Sequence, residues 1–343
     1  MAREPLVVVG YSVDEEFAAI NAGVFGSAVT LAFLRRYPKG ERMGVLSQAD
    51  ALISWNLRRE LPVGALQQAR ALRFIQVLSA GVDNVDFSAV PDQAMVASNV
   101  GAYAAPMAEH VMAMALGLAK RLTQQDAALA SGRFDQGALS RTLNGAVCGI
   151  LGFGGIGKAT GRLMRAFGAR IYAVNTTGQT SEPVEFVGTL DDLDLVLAEA
   201  DVLVIALPLN AATDGLLGSR EFGLMKPDAM LVNVARGAII DERALYEHLQ
   251  AHPDFSAAID AWWEEPSPGK EFQTNYPFFE LPNLIGSPHN SGLVPGILQF
   301  AARRGAQNVL RWLCGEPVLG VVRREDYPPV RSAARSAAGL RPV

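Results

Sequence analysis

The sequence predicts an α/β protein with two parallel sheets, each covered by helices on both faces. Short apolar runs alternate with helix-like segments along the whole 343-residue chain. A glycine pattern of the kind that joins a strand to a helix occurs at Gly152, Gly154 and Gly157. About 150 residues precede this pattern and carry their own alternation, so a separate α/β unit comes first.

Ten strands and seven helices follow from the apolar runs and their spacing. The predicted strands are 6–9, 52–53, 74–78, 95–97, 147–151, 170–174, 202–207, 230–234, 257–259 and 284–285. The predicted helices are 31–37, 62–70, 105–122, 156–167, 193–198, 243–250 and 296–313. In the longest of these before the glycine pattern, Met107, Val111, Met114 and Leu118 recur at helical spacing, which predicts a packed helix face rather than a ligand site.

The glycine pattern lies in the strand–turn–helix context that a dinucleotide-binding fingerprint requires. Gly152 would permit the tight turn, Gly154 would let a diphosphate approach the backbone, and Gly157 would let helix and strand pack closely. The N–H groups and the dipole at the helix start attract a diphosphate. The alternative is a glycine-rich turn without a ligand, but the strand-like run 171–174 after the helix favours the dinucleotide.

Composition and charge exclude several classes of protein. Half of the residues are hydrophobic and the net charge is −5, and the densest basic cluster, at Arg323 and Arg324, is interrupted by acidic residues, so we expect no nucleic-acid partner. No apolar run reaches the length of a membrane helix. Cys148 and Cys314 are isolated, which favours a reducing compartment, and we expect a cytoplasmic protein. The stretch 328–343 predicts an extended arm or a loose tail.

Three polar segments follow predicted strands, where ligands bind in parallel sheets. The first contains Arg236 and Gly237, the second spans 260–266, and the third spans 287–292. The planar guanidinium of Arg236 suits a carboxylate, although a surface salt bridge is the alternative. Because Gly237 follows directly, a constrained turn is the better interpretation.

One of the four histidines, His289, lies in a strand-end turn bracketed by proline and glycine, where we expect a catalytic proton carrier. The other three are interpreted as structural or solvated residues: His110, His248 and His252. A neighbouring carboxylate favours the protonated imidazole, so the pair can carry a proton. Glu265 and Glu264 are both candidates for this partner, and spacing alone does not decide between them.

Taken together, these segments resemble the D-isomer-specific 2-hydroxyacid dehydrogenase family, with a match from about residue 79 to about residue 292. The segments that carry the resemblance are S-A-G-V-D-N-V-D at 79–86, A-E-H at 108–110, the fingerprint at 152–157, L-P-L at 207–209 with Thr213, N-V-A-R-G at 233–237, D-A-W-W-E-E-P at 260–266 and P-H at 288–289. Together they are far more specific than any one of them.

The resemblance implies a role for each of these residues. Arg236 would hold the substrate carboxylate and polarise its carbonyl, Glu265 rather than Glu264 would pair with the histidine, and His289 would be the acid/base. Backbone amides of Ala80 and Gly81 would receive the carboxylate. The residues predicted to bind or line the cofactor are Gly152, Phe153, Gly154, Gly155, Ile156, Gly157, Asn175, Thr176, Thr177, Leu207, Pro208, Thr213, Val234, Ala235, Asp260 and His289. No metal site is predicted.

The activity that the resemblance implies is hydride transfer between a nicotinamide cofactor and a 2-oxo acid, which yields the D-2-hydroxy acid. Glyoxylate, hydroxypyruvate or a bulkier homologue would be the substrate. The implied architecture has two Rossmann-like or flavodoxin-like doubly wound domains with the active site in the cleft between them. Residues 1–100 and 290–343 would bind substrate, residues 101–289 would bind the dinucleotide, and a segment within 102–144 would form the arm of a homodimer.

The chain departs from the family pattern at the cofactor ribose. The fingerprint expects an acidic residue there, whereas Asn175 stands at the strand end, followed by Thr176 and Thr177. With no carboxylate to repel a 2′-phosphate we favour NADP, although the arginine that usually neutralises this phosphate is missing between 175 and 182, so NAD stays open. Phosphite oxidation and a non-catalytic nucleotide-sensing scaffold are the alternative functions, and Glu265 argues against formate oxidation.

Overall fold

A computed structural model of the protein describes residues 3–266 and 271–327, and these divide into two compact units. Among the described residues, the first unit comprises 3–100 and 298–327, and the second comprises 101–266 and 271–297. The predicted arm or tail at 328–343 lies outside the described residues. In the described part of the chain, no helix is both long and apolar enough to cross a membrane.

The first unit contains a five-stranded parallel sheet in the order β2-β1-β3-β4-β5. This order is that of flavodoxin-like doubly wound sheets. The strands are β1 Leu6–Val9, β2 Thr30–Phe33, β3 Ala51–Ser54, β4 Phe74–Val77 and β5 Met95–Ala97. The helices along this part of the chain are α1 Glu15–Phe25, α2 Arg42–Ser47, α3 Leu57–Glu60 and α4 Ala65–Gln68.

Strand β1 shows how this sheet is buried on both faces. Val7 and Val9 pack into one hydrophobic cluster, whereas Val8 between them packs into the other. Successive side chains of a strand point to opposite faces, so a strand that is apolar at every position is buried on both. The continuous apolar runs in the sequence have this structural origin.

The second unit contains a seven-stranded parallel sheet in the order β12-β11-β10-β9-β6-β7-β8. Its strands are β6 Val147–Leu151, β7 Arg170–Val174, β8 Phe186–Gly188, β9 Val202–Ile205, β10 Met230–Asn233, β11 Ser256–Ile259 and β12 Leu284–Gly286. Its helices are α5 Ala104–Ala119, α6 Leu122–Ala130, α7 Gly155–Ala166, α8 Leu193–Glu199, α9 Ser219–Leu224 and α10 Glu242–Ala251. Strands β7 and β8 lie on one side of β6, whereas β9 to β12 lie on its other side, so the strand order reverses between β6 and β9. Ligands bind at the carboxyl ends of the strands at such a switch point.

The methionine-containing face of α5 is buried as predicted. Val111, Met114 and Leu118 pack in one cluster with the β6 residue Ile150, and Met107 is partly buried against the same cluster. The last helix of the described chain, α11 Ile297–Leu313, contributes Ala306 and Val309 to the core of the first unit.

The prediction of a helix at 31–37 was wrong. Residues Thr30–Phe33 form β2, which pairs in parallel with β1, and a short 3₁₀ turn over Leu34–Arg36 follows. A short apolar run does not distinguish a buried strand from a buried helix, and here the pairing with β1 decides. Helix α1 and the edge strand β8 were not predicted from the sequence.

In the structure the second unit extends to Ile297, whereas the boundary between the two binding domains is predicted at residue 290; the binding roles of the two domains stay predictions. The backbone N–H groups of Asn290 and Ser291 donate to the carboxylate of Asp260, which follows β11. A Cβ on Gly292 would lie 3.3 Å from the Tyr103 ring, so this glycine lies close to the start of α5. These contacts hold the segment on the second unit.

Candidate active site

The three fingerprint glycines occupy positions with different spatial constraints. Gly152 has a φ of 95°, and a Cβ on it would lie 2.5 Å from the Ala206 carbonyl oxygen. A Cβ on Gly157 would collide with the carbonyl oxygen of Gly152, whereas a Cβ on Gly154 would meet nothing within 4 Å. The first and third glycines are therefore required by the fold, and the second leaves open space at the helix start.

This open space fits the diphosphate of a dinucleotide. Helix α7 begins at Gly155, directly after the turn, and its first N–H groups have no partner within the helix. The β6–α7 turn also lies beside the carboxyl end of β9, at the switch point of the sheet. Phe153, within the turn, is buried, and its ring packs against Gly161 of α7.

Asn175, at the carboxyl end of β7, organises the loop that follows it. Its carboxamide oxygen accepts from the N–H groups of Thr177 and Gly178 and from the Thr177 hydroxyl. Its carboxamide nitrogen donates to the Gln179 carbonyl at 2.9 Å. The amide thus holds a compact polar loop, with exposed Thr176 and Thr177, where the ribose end of a cofactor is predicted.

The buried hydroxyl of Thr213 holds together the turn that follows β9. Thr213 donates to the Pro208 carbonyl at 2.7 Å and accepts from the Asn210 N–H at 2.9 Å. Leu207 is partly buried in the core beside this turn. The hydroxyl of Thr213 therefore acts within the turn, and its predicted contact with a cofactor stays a prediction.

The turn that carries Arg236 is fixed by its neighbours on both sides. The Asn233 carboxamide accepts from the Ala235 N–H and donates to the Arg236 carbonyl, both at 3.0 Å. A Cβ on Gly237 would lie 2.5 Å from the backbone of Trp262 and Trp263, so glycine is required there. This close approach brings the Arg236 turn next to the 260–265 segment, with Val234 and Ala235 buried.

The structure pairs His289 with Glu265 rather than with Glu264. Glu265 Oε1 lies 2.5 Å from His289 Nδ1, and the two side chains are 40% and 34% exposed. Burial raises the pKa of Glu265, but the hydrogen bond and charge of His289, together with the charge of Arg236, outweigh it and hold the pKa below its usual value. Glu265 is therefore an anion that fixes the ring through Nδ1, which leaves Nε2 as the ring nitrogen outside this pair.

Residues 287–291, called here the histidine turn, hold His289 in an unfavourable backbone conformation. His289 has a φ of 51°, in the left-handed region, which costs a non-glycine residue about 1–2 kcal/mol. Its N–H donates to the Asp260 carbonyl at 2.9 Å, while the N–H groups of Asn290 and Ser291 donate to the two carboxylate oxygens of Asp260. Such conformations persist where surrounding bonds over-determine them, typically at functional sites.

Asp260 is fully buried and connects the histidine turn to helix α5. The Ser287 hydroxyl donates to Asp260 Oδ1 at 2.5 Å, and His110 Nε2 lies 3.0 Å from Ser287 Oγ. Burial raises the pKa of Asp260, but hydrogen bonds from Ser287 and Ser291 and the nearby His110 lower it below its usual value. The predicted proximity of Asp260 to a nicotinamide stays a prediction.

Sequence reasoning missed Ser287 and the contact that His110 makes. His110 was interpreted as structural or solvated, yet it contacts the histidine turn across 177 positions of sequence. His248 and His252 do fit that interpretation, because their rings stack on each other 4.1 Å apart. The A-E-H motif in α5 was the available signal, but no local pattern names its distant partner.

An aromatic recess of about 580 Å³ lies beside Glu265 and His289. The rings of Trp262, Phe272 and Phe279 line it, with centroids 5.2–6.0 Å apart. The Trp262 indole N–H donates to the Ser287 carbonyl at 2.9 Å, so the recess is tied to the histidine turn.

The predicted carboxylate-binding backbone lies in the first unit. Ala80 and Gly81 follow the carboxyl end of β4, and the Ser79 hydroxyl donates to the Gly81 carbonyl at 2.8 Å. Their binding role stays a prediction. Across residues 3–266 and 271–327, no group of three or more His, Cys, Asp or Glu side chains is arranged to hold a metal ion.

Residues 112–291 match the family model described as the NAD-binding domain of D-isomer specific 2-hydroxyacid dehydrogenases. The chain belongs to this family. The match covers more than half of the chain and contains the glycine fingerprint, Arg236, Glu265 and His289. The matched residues lie within the second unit, which therefore corresponds to the domain that this family model describes.

Two curated relatives and one solved structure illustrate the similarity. A glyoxylate reductase from Aeropyrum pernix is 30% identical over 81% of this chain and 84% of its own length. A D-3-phosphoglycerate dehydrogenase from Archaeoglobus fulgidus is 31% identical over 86% of this chain and 54% of its own length. A glycerate dehydrogenase related protein from Thermoplasma acidophilum has a TM-score of 0.61 at 28% identity, covering 90% of this chain and 99% of the other. The chain thus spans about half the length of the phosphoglycerate dehydrogenases that it matches.

Proposed function

We propose that the protein is an NAD(P)H-dependent oxidoreductase that interconverts a 2-oxo acid and the D-2-hydroxy acid. The observation that carries this proposal is the 2.5 Å pair between Glu265 and His289, next to the Arg236 turn in a 2-hydroxyacid dehydrogenase domain. An anchored imidazole beside an arginine supplies both the proton and the positive charge that carbonyl reduction needs.

The reduction needs a hydride and a proton, and the protein provides the second. A nicotinamide cofactor held at the β6–α7 turn would supply the hydride for C2 of the substrate. Protonated His289 donates its Nε2 proton to the carbonyl oxygen as the C–O double bond becomes a single bond, and Glu265 stabilises the imidazolium before the transfer. Arg236 holds the substrate carboxylate and stabilises the negative charge that develops on the oxygen. In the reverse direction, His289 accepts the hydroxyl proton.

We assign substrate binding to the first unit and to Arg236. The backbone amides of Ala80 and Gly81, after the carboxyl end of β4, would receive the substrate carboxylate. Glyoxylate, hydroxypyruvate and bulkier 2-oxo acids are the substrate class, and the resemblance to a glyoxylate reductase supports the small members.

The cofactor that we favour is NADP. Asn175 provides an amide where an acidic residue would repel the 2′-phosphate, and its loop presents two exposed threonines. Helix α7 carries Arg162, whose guanidinium pairs with Glu182 at 2.9 Å. We expect this pair to open for the phosphate, because Arg162 is largely exposed.

We also propose that the chain forms a homodimer in a reducing cytoplasm. Helix α6 and the segment after it expose four large apolar side chains, Leu122, Leu129, Phe134 and Leu139, by 55–86%. Cys148 and Cys314 are both free thiols, which suits a reducing compartment. Light scattering of the purified protein at several concentrations tests the dimer, and a monomer at every concentration would contradict it.

A substrate panel on the wild type and His289→Ala tests the function. Absorbance of NADPH and NADH is followed with glyoxylate, hydroxypyruvate and bulkier 2-oxo acids, and phosphite is tested in the oxidative direction. We expect turnover of at least one 2-oxo acid by the wild type and retained cofactor binding without turnover by the variant. Turnover of phosphite alone would favour phosphite oxidation, and cofactor binding without any turnover would favour the scaffold.

A further inference from the structure

We propose that His110 is a positioning residue for the histidine turn, and that it acts through the Ser287 hydroxyl on the Asp260 carboxylate. The inference rests on the proposed function, because that function gives His289 the proton transfer. A chain of two hydrogen bonds carries it: His110 Nε2 lies 3.0 Å from Ser287 Oγ, and Ser287 Oγ lies 2.5 Å from Asp260 Oδ1.

The direction of both hydrogen bonds follows from the number of hydrogens available. A serine hydroxyl has one hydrogen, and the ionised Asp260 carboxylate can only accept. Ser287 therefore donates to Asp260, and its oxygen must accept from His110. This requires a hydrogen on Nε2 of His110, so the imidazole is held as the Nε2–H tautomer or as the cation. Hydrogen bonds aligned in this way polarise and strengthen one another.

The hydrogen bonds from His110 and Ser287 end at Asp260, which holds the backbone of His289 in place. Both carboxylate oxygens of Asp260 accept N–H groups of the histidine turn, at 3.1 Å from Asn290 and 3.2 Å from Ser291. The main-chain carbonyl of Asp260 accepts the N–H of His289 itself. Because His289 has a left-handed φ of 51°, its conformation depends on this support.

His110 is the more exposed end of this series of hydrogen bonds, and Asp260 is the buried end. The Asp260 side chain is fully buried, and that of His110 is 26% exposed on α5. Without the His110 donor, the Ser287 hydroxyl is no longer held from α5 and can rotate away from the carboxylate. The histidine turn then gains freedom, and the imidazole loses its alignment with the substrate. Misalignment of about 1 Å can cost on the order of a hundredfold in rate. The loss should fall on kcat rather than on binding.

The test is a double-mutant cycle in which each single change has a conservative counterpart. His110→Leu removes the donor, whereas His110→Gln places an amide N–H close to the position of Nε2. Ser287→Ala removes the hydroxyl, whereas Ser287→Thr keeps it. For each variant we would measure kcat and KM for the best 2-oxo acid, cofactor affinity by fluorescence and the thermal midpoint. His252→Leu is the matched control, since His252 bonds to a carbonyl of its own helix.

We expect His110→Leu and Ser287→Ala each to lower kcat about tenfold, with KM and cofactor affinity changed less than about threefold. His110→Gln and Ser287→Thr should recover most of that loss. The double variant His110→Leu/Ser287→Ala should be no slower than the worse single variant, because both changes break one chain. His252→Leu should keep the wild-type kcat.

The opposite results would overturn the inference. Full kcat in His110→Leu, a His110→Gln variant as slow as His110→Leu, or losses that multiply in the double variant would each show that His110 does not act through Ser287. If His110→Leu fails to fold, His110→Phe, which also lacks the N–H donor but keeps a ring at this position, takes its place in the cycle with the same expected outcomes. A wild type that turns over no 2-oxo acid would refute the proposed function instead.

Discussion

The Glu265 carboxylate and the His289 imidazole form one hydrogen-bonded unit, with Oε1 2.5 Å from Nδ1. The sequence offers two successive acidic residues, Glu264 and Glu265, as partners for His289, and the backbone conformation of this segment places Glu265 at the imidazole. The Trp262 N–H donates to Glu265 Oε1 at 3.3 Å, which folds the 262–265 segment back toward the histidine turn. The pair is thus built from two loops that follow neighbouring strands, β11 and β12.

Glu265→Gln should lower kcat for 2-oxo acid reduction by about a hundredfold, because the imidazolium loses its anionic partner. Glu264→Gln, the matched control, should stay within about twofold of the wild type. Steady-state oxidation of the reduced cofactor measures both. Equal losses in the two variants would contradict the pairing.

The pH dependence of Glu265 has a defined sign. Its folded-state pKa lies below the usual value of 4.5, so the carboxylate is ionised above that pH and its contribution is lost only as the pH falls through the lowered pKa. The loss of activity that depends on Glu265 should therefore be centred below pH 4.5 in the wild type, and the Glu264→Gln control should show the same pH profile as the wild type. An activity loss in the wild type centred above pH 5 that disappears in Glu265→Gln would contradict this assignment.

The fingerprint glycines offer a matched pair of substitutions. Gly152→Ala should lower the free energy of unfolding by about 2 kcal/mol or more, because φ is 95° and the new Cβ meets the Ala206 carbonyl. Gly154→Ala should cost about 1 kcal/mol or less, since its Cβ meets open space. The second change should instead raise the cofactor KM about tenfold by filling the space for the diphosphate. Urea unfolding and cofactor titration separate the two, and unchanged cofactor affinity in Gly154→Ala would count against the diphosphate site.

Asn175→Asp should reverse the cofactor preference. The new carboxylate keeps the acceptor bonds to the following loop but repels a 2′-phosphate, so kcat/KM with NADPH should fall about tenfold or more while that with NADH is kept. Gln179→Glu adds the same charge to the same loop and serves as the control, with the ratio changed less than about threefold. A wild type that strongly prefers NADH would show that the missing carboxylate does not select NADP.

His248 should make the second unit less stable in mild acid. Burial, together with the neighbouring His252, lowers the pKa of His248 from 6.5 to about 4. The unfolded chain then binds more protons between these values, so the free energy of unfolding should fall as the pH drops from about 6.5 toward 4. His248→Phe keeps the stack on Phe222 and should remove a part of this dependence on the order of 1 kcal/mol, because the ring is half-buried. Denaturant unfolding at several pH values measures it, and parallel pH curves for the two proteins would refute it.

The sequence predicted most of the second unit and less of the first. Strands β6 and β7 have the predicted bounds, because β6 leads directly into the fingerprint and β7 follows the helix that begins there. Strand β2 was wrongly predicted as a helix, because its four residues are extended only through their pairing with β1. Edge strand β8 was missed, because only one of its three residues is buried and it therefore lacks a clear apolar pattern.

The candidate site shows the same division between local and long-range information. Gly237 could be read as a constrained turn, yet its close approach to Trp262 depends on two strands lying side by side. The contact of His110 with Ser287 joins a helix to a distant loop, and no spacing rule encodes it. Sequence motifs identify the candidate catalytic residues, whereas the residues that position them are found only from contacts between distant parts of the folded chain.

The most direct measurement of the central claim compares His289→Ala with the wild type in 2-oxo acid reduction, with cofactor affinity determined on the same preparations. We expect His289→Ala to lose at least about a hundredfold in kcat/KM, with cofactor affinity within about threefold of the wild type. Turnover by His289→Ala at the wild-type rate would show that the imidazole does not carry the proton.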